Sequence, residues 1–211
     1  MPNWQWVADF HASAVNLRDL ELLFERFNGI IKFGKLYNYW RCKMSKLHNM
    51  RGIEIQKFRA VSSGLKTLNE LFGDEGFILW VNKHCHLIKE HMYEPIEFLW
   101  HEDEKITWES GRNIFILAIK DDVTEKDVAP YEIIEFPGGV FLVATGDEND
   151  KDDLEETISC MMSWIEKSDV FEYGDFPKSG MCNMPNADGA FDKALGIAQQ
   201  QIYLPLKFRT K

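Results

Sequence analysis

Apolar residues recur with helical spacing in residues 1–50. Directly after this segment, apolar and polar residues alternate instead. In residues 1–50 one apolar stripe of a predicted helix is formed by Leu20, Leu23, Phe24 and Phe27. Between Ile53 and Val61 apolar and polar residues alternate as in a half-buried strand. We therefore predict a helical N-terminal extension over residues 1–51 and a second domain, which contains strands, over residues 52–211.

The middle of the chain switches between the two spacings. Residues 74–92 have apolar positions near helical spacing, and Asn113–Lys120 is a predicted strand. A charged linker, Asp121–Pro130, leads into the β-rich run Tyr131–Ala144, which is interrupted by Pro137-Gly138-Gly139. Because proline cannot donate to a sheet ladder and paired glycines permit a sharp bend, we expect one strand to change direction there.

The second half of the chain repeats the order of the first. It continues with a predicted helix at 152–167, an irregular polar stretch at 172–200 and a last strand at 201–208. Three segments match in sequence and in order between the halves: residues 53–60 with 131–138, 80–83 with 164–167, and 113–120 with 201–208. Self-similarity at a long period is the signature of a repeated structural unit.

The repeat predicts an α+β fold of duplicated β-α-β-β units, with repeat 1 over about residues 53–121 and repeat 2 over about residues 130–208. Two such copies in one chain imply pseudo-two-fold symmetry. Each unit has too small a sheet to bury both of its faces, so we expect the copies to pair along a seam. Such a seam leaves a cleft between the helices, where small-molecule sites are often found.

Charge is distributed unevenly along the chain. The formal net charge is -10 and the sequence pI is about 5.1. Residues 1–52 nevertheless hold eight Lys or Arg against four Asp or Glu. The rest of the chain is therefore more acidic than the total. Because nucleic-acid binders normally present a basic face, we expect no direct nucleic-acid binding by residues 53–211.

The sequence also bears on the compartment of the protein. No apolar run approaches the roughly 18 residues that span a bilayer, and the N-terminus lacks the layout of a signal peptide, so we expect no membrane partner. The four cysteines lie far apart without a CxxC pair. We interpret them as reduced, mostly buried thiols and expect a cytoplasmic protein.

Several local patterns, taken in order, give the second domain a family resemblance. They are Ile78-Leu79-Trp80 in the first predicted helix, the strand Phe115–Asp121 before the acidic linker, the bend in 134–139, the helix with Trp164-Ile165, and the terminal Ile202–Leu206. Together they cover about residues 53–208. They resemble the GyrI-like, or AraC-type effector-binding, superfamily of small-molecule-binding and multidrug-binding domains.

The resemblance implies a duplicated β-α-β-β fold whose central cleft binds hydrophobic, often aromatic and cationic compounds. Many members of the superfamily are the sensor half of transcription regulators, others act alone as binding or protective proteins, and a subset resembles hydrolases of DNA-alkylating compounds. Multidrug-binding members place a buried glutamate in the second repeat, ahead of the proline of the last strand. The corresponding window, Met181–Ala187, contains no acid, so Glu172, Asp188 or Asp192 would have to substitute.

Candidate ligand-binding residues follow from this chemistry. A carboxylate in an aromatic cleft attracts an organic cation as water is excluded, and ring faces add about 0.5–2 kcal/mol. The aromatic candidates are Trp80, Phe115, Phe141, Trp164 and Tyr203, with Trp100 and Trp108 as further wall residues, and the acidic candidates are Glu172 and Asp192. Trp80 and Trp164 are favoured because they hold equivalent places in the two repeats. For each candidate an ordinary role in the core or on the surface is the alternative.

Three functions remain open. The first is a stand-alone sensor or sequestering protein for a hydrophobic ligand. The second is a hydrolase that acts on a reactive xenobiotic in the same cleft. The third is a protein-interaction module, in which residues 1–50 pair with a partner or with a second copy in a homodimer.

We predict no catalytic residue, no cofactor and no metal ion. The sequence has no glycine-rich phosphate loop and no dinucleotide fingerprint. His84, Cys85 and His86 are consecutive on a predicted helix, where neighbouring side chains point about 100° apart and do not converge on one ion.

Overall fold

The computed structural model of the chain describes residues 49–90, 97–101, 111–184, 194, 196 and 198–210. All of these residues belong to one unit, Lys43–Lys211. The helices predicted in residues 1–50 lie outside the described residues, as do Trp108, Asp188 and Asp192.

Nine strands and three α-helices make up the described structure. The strands are β1 (Arg51–Ile55), β2 (Phe58–Ser62), β3 (Glu97–His101), β4 (Asn113–Ala118), β5 (Glu132–Phe136), β6 (Gly139–Asp147), β7 (Phe171–Tyr173), β8 (Met181–Asn183) and β9 (Gln199–Phe208). The helices are α1 (Leu68–Phe72), α2 (Phe77–Lys83) and α3 (Lys151–Lys167), with a 3₁₀ turn at Cys85–Leu87.

All the strands join one antiparallel sheet. Its order is β1-β6-β9-β8-β3-β4-β2-β5, and β7 pairs with β9. The α+β class predicted from the sequence is therefore confirmed. From the centre outwards the order reads β8, β9, β6 on one side and β3, β4, β2 on the other. A duplicated β-α-β-β unit would give this order, and the duplication itself stays a prediction.

The glycine-rich run in the middle of the chain forms two strands, and the expectation of one strand that changes direction is wrong. β5 pairs with β2, whereas β6 pairs with β1 and β9. Gly138 has a φ of 73° between the two strands. A Cβ at this position would collide with the carbonyl oxygen of Ile55 and the amide nitrogen of Lys57. At Gly138 the chain between β5 and β6 therefore passes close to the connection between β1 and β2.

The second long helix predicted from the sequence is confirmed as α3. Its N-cap, Asp150, accepts a hydrogen bond from the backbone N–H of Asp153, and Asp152 and Asp153 lie in the first turn, where negative charge is favoured. Its buried face contacts β6 and β9 through Leu154, Met161 and Ile165.

Two other predicted elements differ from the structure. The helix expected over residues 74–92 is limited to α2, because the chain turns at Cys85–Leu87 and Ile88 then bridges to Ile119, which follows β4. The stretch 172–200, expected to be irregular, contributes β8 and parts of β7 and β9.

The sheet has two different faces, because successive side chains in a strand point to opposite sides. One face carries an aromatic cluster that includes Phe98, Trp100, Phe136, Phe141 and Tyr203. The other face is covered by α1 and α2 over β4, through Leu71, Phe77, Val81 and Leu117, and by α3 over β6 and β9. Between α1 and α2 on one side and α3 on the other, no described helix covers the strands, and a cleft lies there.

The cysteines differ in part from the expectation. Cys160 is disulfide-bonded, so the prediction of a reduced thiol is wrong for this residue. Cys85 and Cys182 are free, with Cys85 exposed and Cys182 buried. Within the described ranges, no helix combines the length and the apolar character needed to cross a membrane.

Candidate functional site

A cleft of about 740 Å³ lies on the helical face of the sheet. Its lining comes from α1 and α2 on one side, α3 on the other, and the central strands between them. The lining residues are Leu68, Phe72, Ile78, Val81, Asn82, Glu97, Phe98, Leu99, Phe115, Leu117, Glu148, Lys151, Leu154, Glu155, Ile158, Cys182, Asn183, Met184 and Gln200.

The floor of the cleft is set by strand register. Leu99 of β3 lies opposite Phe115 of β4 on one side and opposite Cys182 of β8 on the other. Glu97, two residues before Leu99, lies opposite Leu117. Because residues two apart in a strand share a face, these side chains form one continuous surface below the helices.

The wall formed by α1 exposes apolar side chains. Leu68 is 44% exposed and Phe72 is 54% exposed, although both line the cleft. The helix is fixed by a capping box, in which Thr67 and Glu70 exchange hydrogen bonds. The opposite wall is made by Leu154 and Ile158 of α3. The cleft therefore offers an apolar surface that the described residues leave uncovered.

The charged residues of the lining are mainly acidic. Among the described residues they are three glutamates, Glu97, Glu148 and Glu155, and one lysine, Lys151. Burial raises the pKa of the Cys182 thiol, and the nearby negative charge of Glu148 raises it further. The thiol is thus neutral at physiological pH, and the field of Glu148 reaches the floor of the cleft.

The amide residues of the lining are Asn82, Asn183 and Gln200, and the last two make contacts that bear on the site. The Gln200 Nε2 donates a hydrogen bond to the Cys182 Sγ, at 3.7 Å. Asn183 Nδ2 donates to the Tyr203 hydroxyl at 2.9 Å, and that hydroxyl donates to Gln201 Oε1 at 2.6 Å. The amide oxygens of Asn183 and Gln200 are buried and accept no hydrogen bond from the residues that the structure describes.

Of the site residues predicted from the sequence, Phe115 lines this cleft. Trp80 lies on α2 but belongs to a neighbouring aromatic group. Its ring stacks on His84 with centroids 4.4 Å apart and meets Tyr131 edge-on at 5.1 Å. Its role in ligand binding stays a prediction.

The other aromatic candidates lie elsewhere. Phe141 and Tyr203 are each 1% exposed, within the aromatic cluster on the opposite face of the sheet, as is Trp100. Trp164 is half-exposed on α3 and stacks on Phe171, with ring centroids 6.2 Å apart. The structure therefore does not bring the five aromatic candidates together in one place.

The acidic candidate Glu172 lies on β7 at the surface. Its carboxylate is 3.7 Å from the Lys207 Nζ and 3.7 Å from an Arg209 guanidinium nitrogen. The second acidic candidate, Asp192, lies outside the described residues. Among the described residues no group of three or more His, Cys, Asp or Glu is arranged to hold a metal ion.

Sequence reasoning missed the acids of the cleft, Glu97, Glu148 and Glu155. The local pattern gives no clear signal, because Glu97 is followed by the consecutive apolar residues Phe98, Leu99 and Trp100 instead of alternating ones. Only the pairing of β3 with β4 shows that Glu97 shares the face of Leu99. Glu148 lies in the turn after β6 and Glu155 in the second turn of α3, where single acids carry no signal for a binding site.

Comparison with known proteins yields no matching family model and no matching curated protein. Several solved structures are similar. EcmrR, in a cryo-EM structure of its DNA complex, matches with a TM-score of 0.54 and 12% identity over 90% of this chain and 67% of that one. A hydrolase encoded by lin2189 from Listeria innocua matches with a TM-score of 0.51 and 12% identity over 83% of this chain and 98% of that one.

SAV2435 bound to tetraphenylphosphonium is more distant, with a TM-score of 0.44 and 11% identity over 75% of this chain and 94% of that one. At such low identity the similarity to EcmrR and the Listeria hydrolase shows the fold alone. The sheet with few helices is compatible with the GyrI-like fold to which the sequence bears a resemblance.

Proposed function

We propose that the protein binds a hydrophobic, aromatic and cationic small molecule in the cleft between α2 and α3. In this proposal it acts as a stand-alone sensor or sequestering protein related to regulator effector domains. One observation carries the proposal: uncovered apolar side chains and three glutamates line the same cleft. The first feature favours a hydrophobic ligand and the second favours a positive charge on it.

The apolar part of the lining supports the size and nature of the ligand. The volume of about 740 Å³ falls within the range of about 300–1,000 Å³ that is usual for small-molecule sites. Removal of apolar surface from water contributes about 25 cal/mol per Å². An aromatic compound seated against Phe72 and Phe115 would cover the side chains that are left exposed.

The charged part of the lining supports a cation. Opposite charges attract more strongly where water is displaced, and the described part of the lining holds three carboxylates and the ammonium of Lys151. The aromatic faces of Phe72 and Phe115 add a cation–π contribution of about 0.5–2 kcal/mol where the cation reaches them. An anionic ligand of the same shape lacks both contributions.

The similar structures are compatible with more than one role. EcmrR was solved in complex with DNA, and the Listeria protein is a hydrolase. Fold similarity does not carry an activity from one protein to another. We favour binding because it needs only the surface and the charges of the cleft, and recovery of an intact ligand after incubation is its direct check.

Two ions of nearly equal size test the proposal. Tetraphenylphosphonium and tetraphenylborate have four phenyl groups each and opposite charges, so titration calorimetry compares charge at constant shape. We expect saturable binding of the cation and weaker or undetectable binding of the anion. At 100 times its dissociation constant the cation should raise the free energy of unfolding by about 2.7 kcal/mol. The proposal of a cationic ligand is contradicted if the two ions bind with equal affinity or if neither ion binds.

Matched variants locate the binding. Neutralising Glu155 with Glu155→Gln is expected to weaken cation binding about three- to tenfold. Glu166→Gln on the same helix, where Glu166 is exposed and does not line the cleft, is the control and should leave affinity unchanged. Glu172→Gln tests the acid that the sequence favoured. A loss of affinity with Glu172→Gln but not with Glu155→Gln would place the ligand elsewhere.

A further inference from the structure

The amide of Gln200 is a polar group of the cleft, and neither an apolar surface nor a charge on the ligand accounts for its presence there. Gln200 lies on β9, lines the cleft and is 7% exposed. Its Nε2 is held by the Cys182 Sγ at 3.7 Å. Its Oε1 is buried and accepts no hydrogen bond within the part of the chain that the structure describes.

A buried acceptor without a donor is unfavourable, because it has lost its hydrogen bonds to water without gaining new ones. Buried polar groups in native proteins are normally satisfied, so each exception requires an explanation. The thiol of Cys182 does not remove the problem, since one partner can satisfy only one of the two amide atoms. Rotation about the terminal torsion of glutamine is soft, so the oxygen can turn toward a donor in the cleft without movement of the backbone.

We propose that Gln200 is the hydrogen-bond anchor of the ligand, and that the ligand therefore carries an N–H donor on its cationic group, as in a protonated amine or an amidinium. This inference rests on the proposed function. It narrows the class of ligand, because a quaternary ammonium or phosphonium ion has a charge but no hydrogen to donate.

The carboxylates support the same class of ligand. Glu97, Glu148 and Glu155 line the cleft together with Gln200, and carboxylate oxygens accept hydrogen bonds. Asn183 does not add to this set, because its amide nitrogen donates to the Tyr203 hydroxyl at 2.9 Å, and Tyr203 belongs to the aromatic cluster on the opposite face of the sheet. A ligand with several N–H groups matches the amide oxygen of Gln200 and these carboxylates better than one with none.

The experiment compares two cations that differ by one methyl group. The probes are N,N-dimethyl-1-naphthylmethylamine, which is protonated at pH 7, and its N-methylated quaternary derivative. Wild-type protein should bind the protonated amine about tenfold more tightly than the quaternary ion. In Gln200→Met, which keeps the length of the side chain but removes its amide, the two affinities should fall to within about twofold of each other.

Controls separate the anchor from general effects. Gln199→Met changes the preceding residue of β9, which does not line the cleft, and should keep the tenfold preference. Unliganded Gln200→Met should unfold at the same temperature as the wild type or higher, because a buried acceptor without a donor has been removed. A lower unfolding temperature would contradict the assignment of that oxygen as unsatisfied.

A measurement on the unchanged protein avoids dependence on the variant. In wild-type protein with ¹⁵N-labelled glutamine side chains, the amide resonance of Gln200 should shift on addition of the protonated amine and much less with the quaternary ion. Equal affinities of the two probes in the wild type overturn the anchor and leave the proposed function standing. Failure of both probes, together with failure of tetraphenylphosphonium, overturns the proposed function itself.

Discussion

The ring of Phe72 meets the ring of Phe115 edge-on, with centroids 6.1 Å apart and planes at 88°. One ring comes from the short helix α1 and the other from the central strand β4, so the pair joins the wall of the cleft to its floor. Such an arrangement places the positive edge of one ring against the negative face of the other. Phe72 is largely exposed in spite of this contact.

Replacing Phe72 should therefore affect ligand binding more than folding. In Phe72→Ala we expect the affinity for an aromatic cation to fall about tenfold or more, because a large part of the apolar wall is removed. The free energy of unfolding should fall by less than about 1 kcal/mol, since the side chain is mostly exposed in the unliganded protein. Calorimetric titration and urea unfolding measure the two quantities. Phe208→Ala removes another exposed phenylalanine outside the cleft and should leave affinity unchanged.

The reactivity of Cys85 and Cys182 provides a second test. The thiolate is the reactive form of cysteine, and burial with the nearby Glu148 charge raises the pKa of Cys182 above its ordinary value. Cys85 is exposed. At pH 8 iodoacetamide should modify Cys85 readily and Cys182 slowly, as measured by mass spectrometry of the two peptides. A cleft ligand should slow the modification of Cys182 further and leave Cys85 unaffected. Equal protection of both cysteines would indicate a general effect on stability instead.

The sequence predicted those parts of the fold that depend on local pattern. α3 has an apolar stripe with Leu154, Met161 and Ile165, and β9 has a β-rich run in Ile202–Leu204, so local pattern predicts both. α2 was predicted too long because residues after Lys83 keep apolar spacing, although Ile88 pairs with Ile119 in the structure. The pairing of two residues that are distant in sequence therefore ends the helix earlier than the local spacing of apolar residues predicts.

The site depends on pairings between distant segments, and the sequence alone did not supply them. Glu97 reaches the cleft because β3 pairs with β4 and β8, which follow it at different distances along the chain. The family resemblance places an acid in the window before Pro205, whereas the carboxylates of the described lining come from β3, the turn after β6 and α3. Phe115 lines the cleft and was one of several aromatic candidates, and its role in ligand binding stays a prediction, because strand alternation in the sequence does not identify which face is open.

Stability should fall at alkaline pH, in part through Tyr173. Burial raises the pKa of Tyr173 from 10.0 to about 12. Between these values the unfolded chain has lost the phenolic proton while the folded protein retains it, so the folded state binds more protons and the free energy of unfolding decreases as pH rises. The contribution is complete below pH 10 and is lost as the pH approaches 12. Urea unfolding at pH 9 to pH 11 should show the decline.

The variant Tyr173→Phe isolates this residue. It also removes the hydrogen bond that the Tyr173 hydroxyl donates to the Lys178 carbonyl at 3.0 Å, so a uniform loss of stability at all pH values is expected. The diagnostic quantity is the slope, which should become less steep above pH 10. An unchanged slope would assign the alkaline decline to other groups, among them Cys182 and Tyr131, whose pKa values burial also raises.

The close approach at Gly138 gives the sharpest prediction for stability. A Cβ there would collide with Ile55 and Lys57, and the φ of 73° is one that residues with side chains rarely adopt. Gly138→Ala should therefore destabilise the protein by more than about 2 kcal/mol, because both the strain and the collision must be relieved by separation of the two strand connections. Urea unfolding measures this loss.

Gly52→Ala is the matched control, since Gly52 lies in β1 with nothing within 4 Å of an added Cβ. Alanine there should be neutral or stabilise by up to about 1 kcal/mol, through reduced freedom of the unfolded chain. If the two variants proved equally stable, the contact between the connection after β1 and the connection after β5 would not be a determinant of the fold. A large loss confined to Gly138→Ala would instead show that the crossing of these two connections fixes the edges of the sheet, because β1 and β5 both end there.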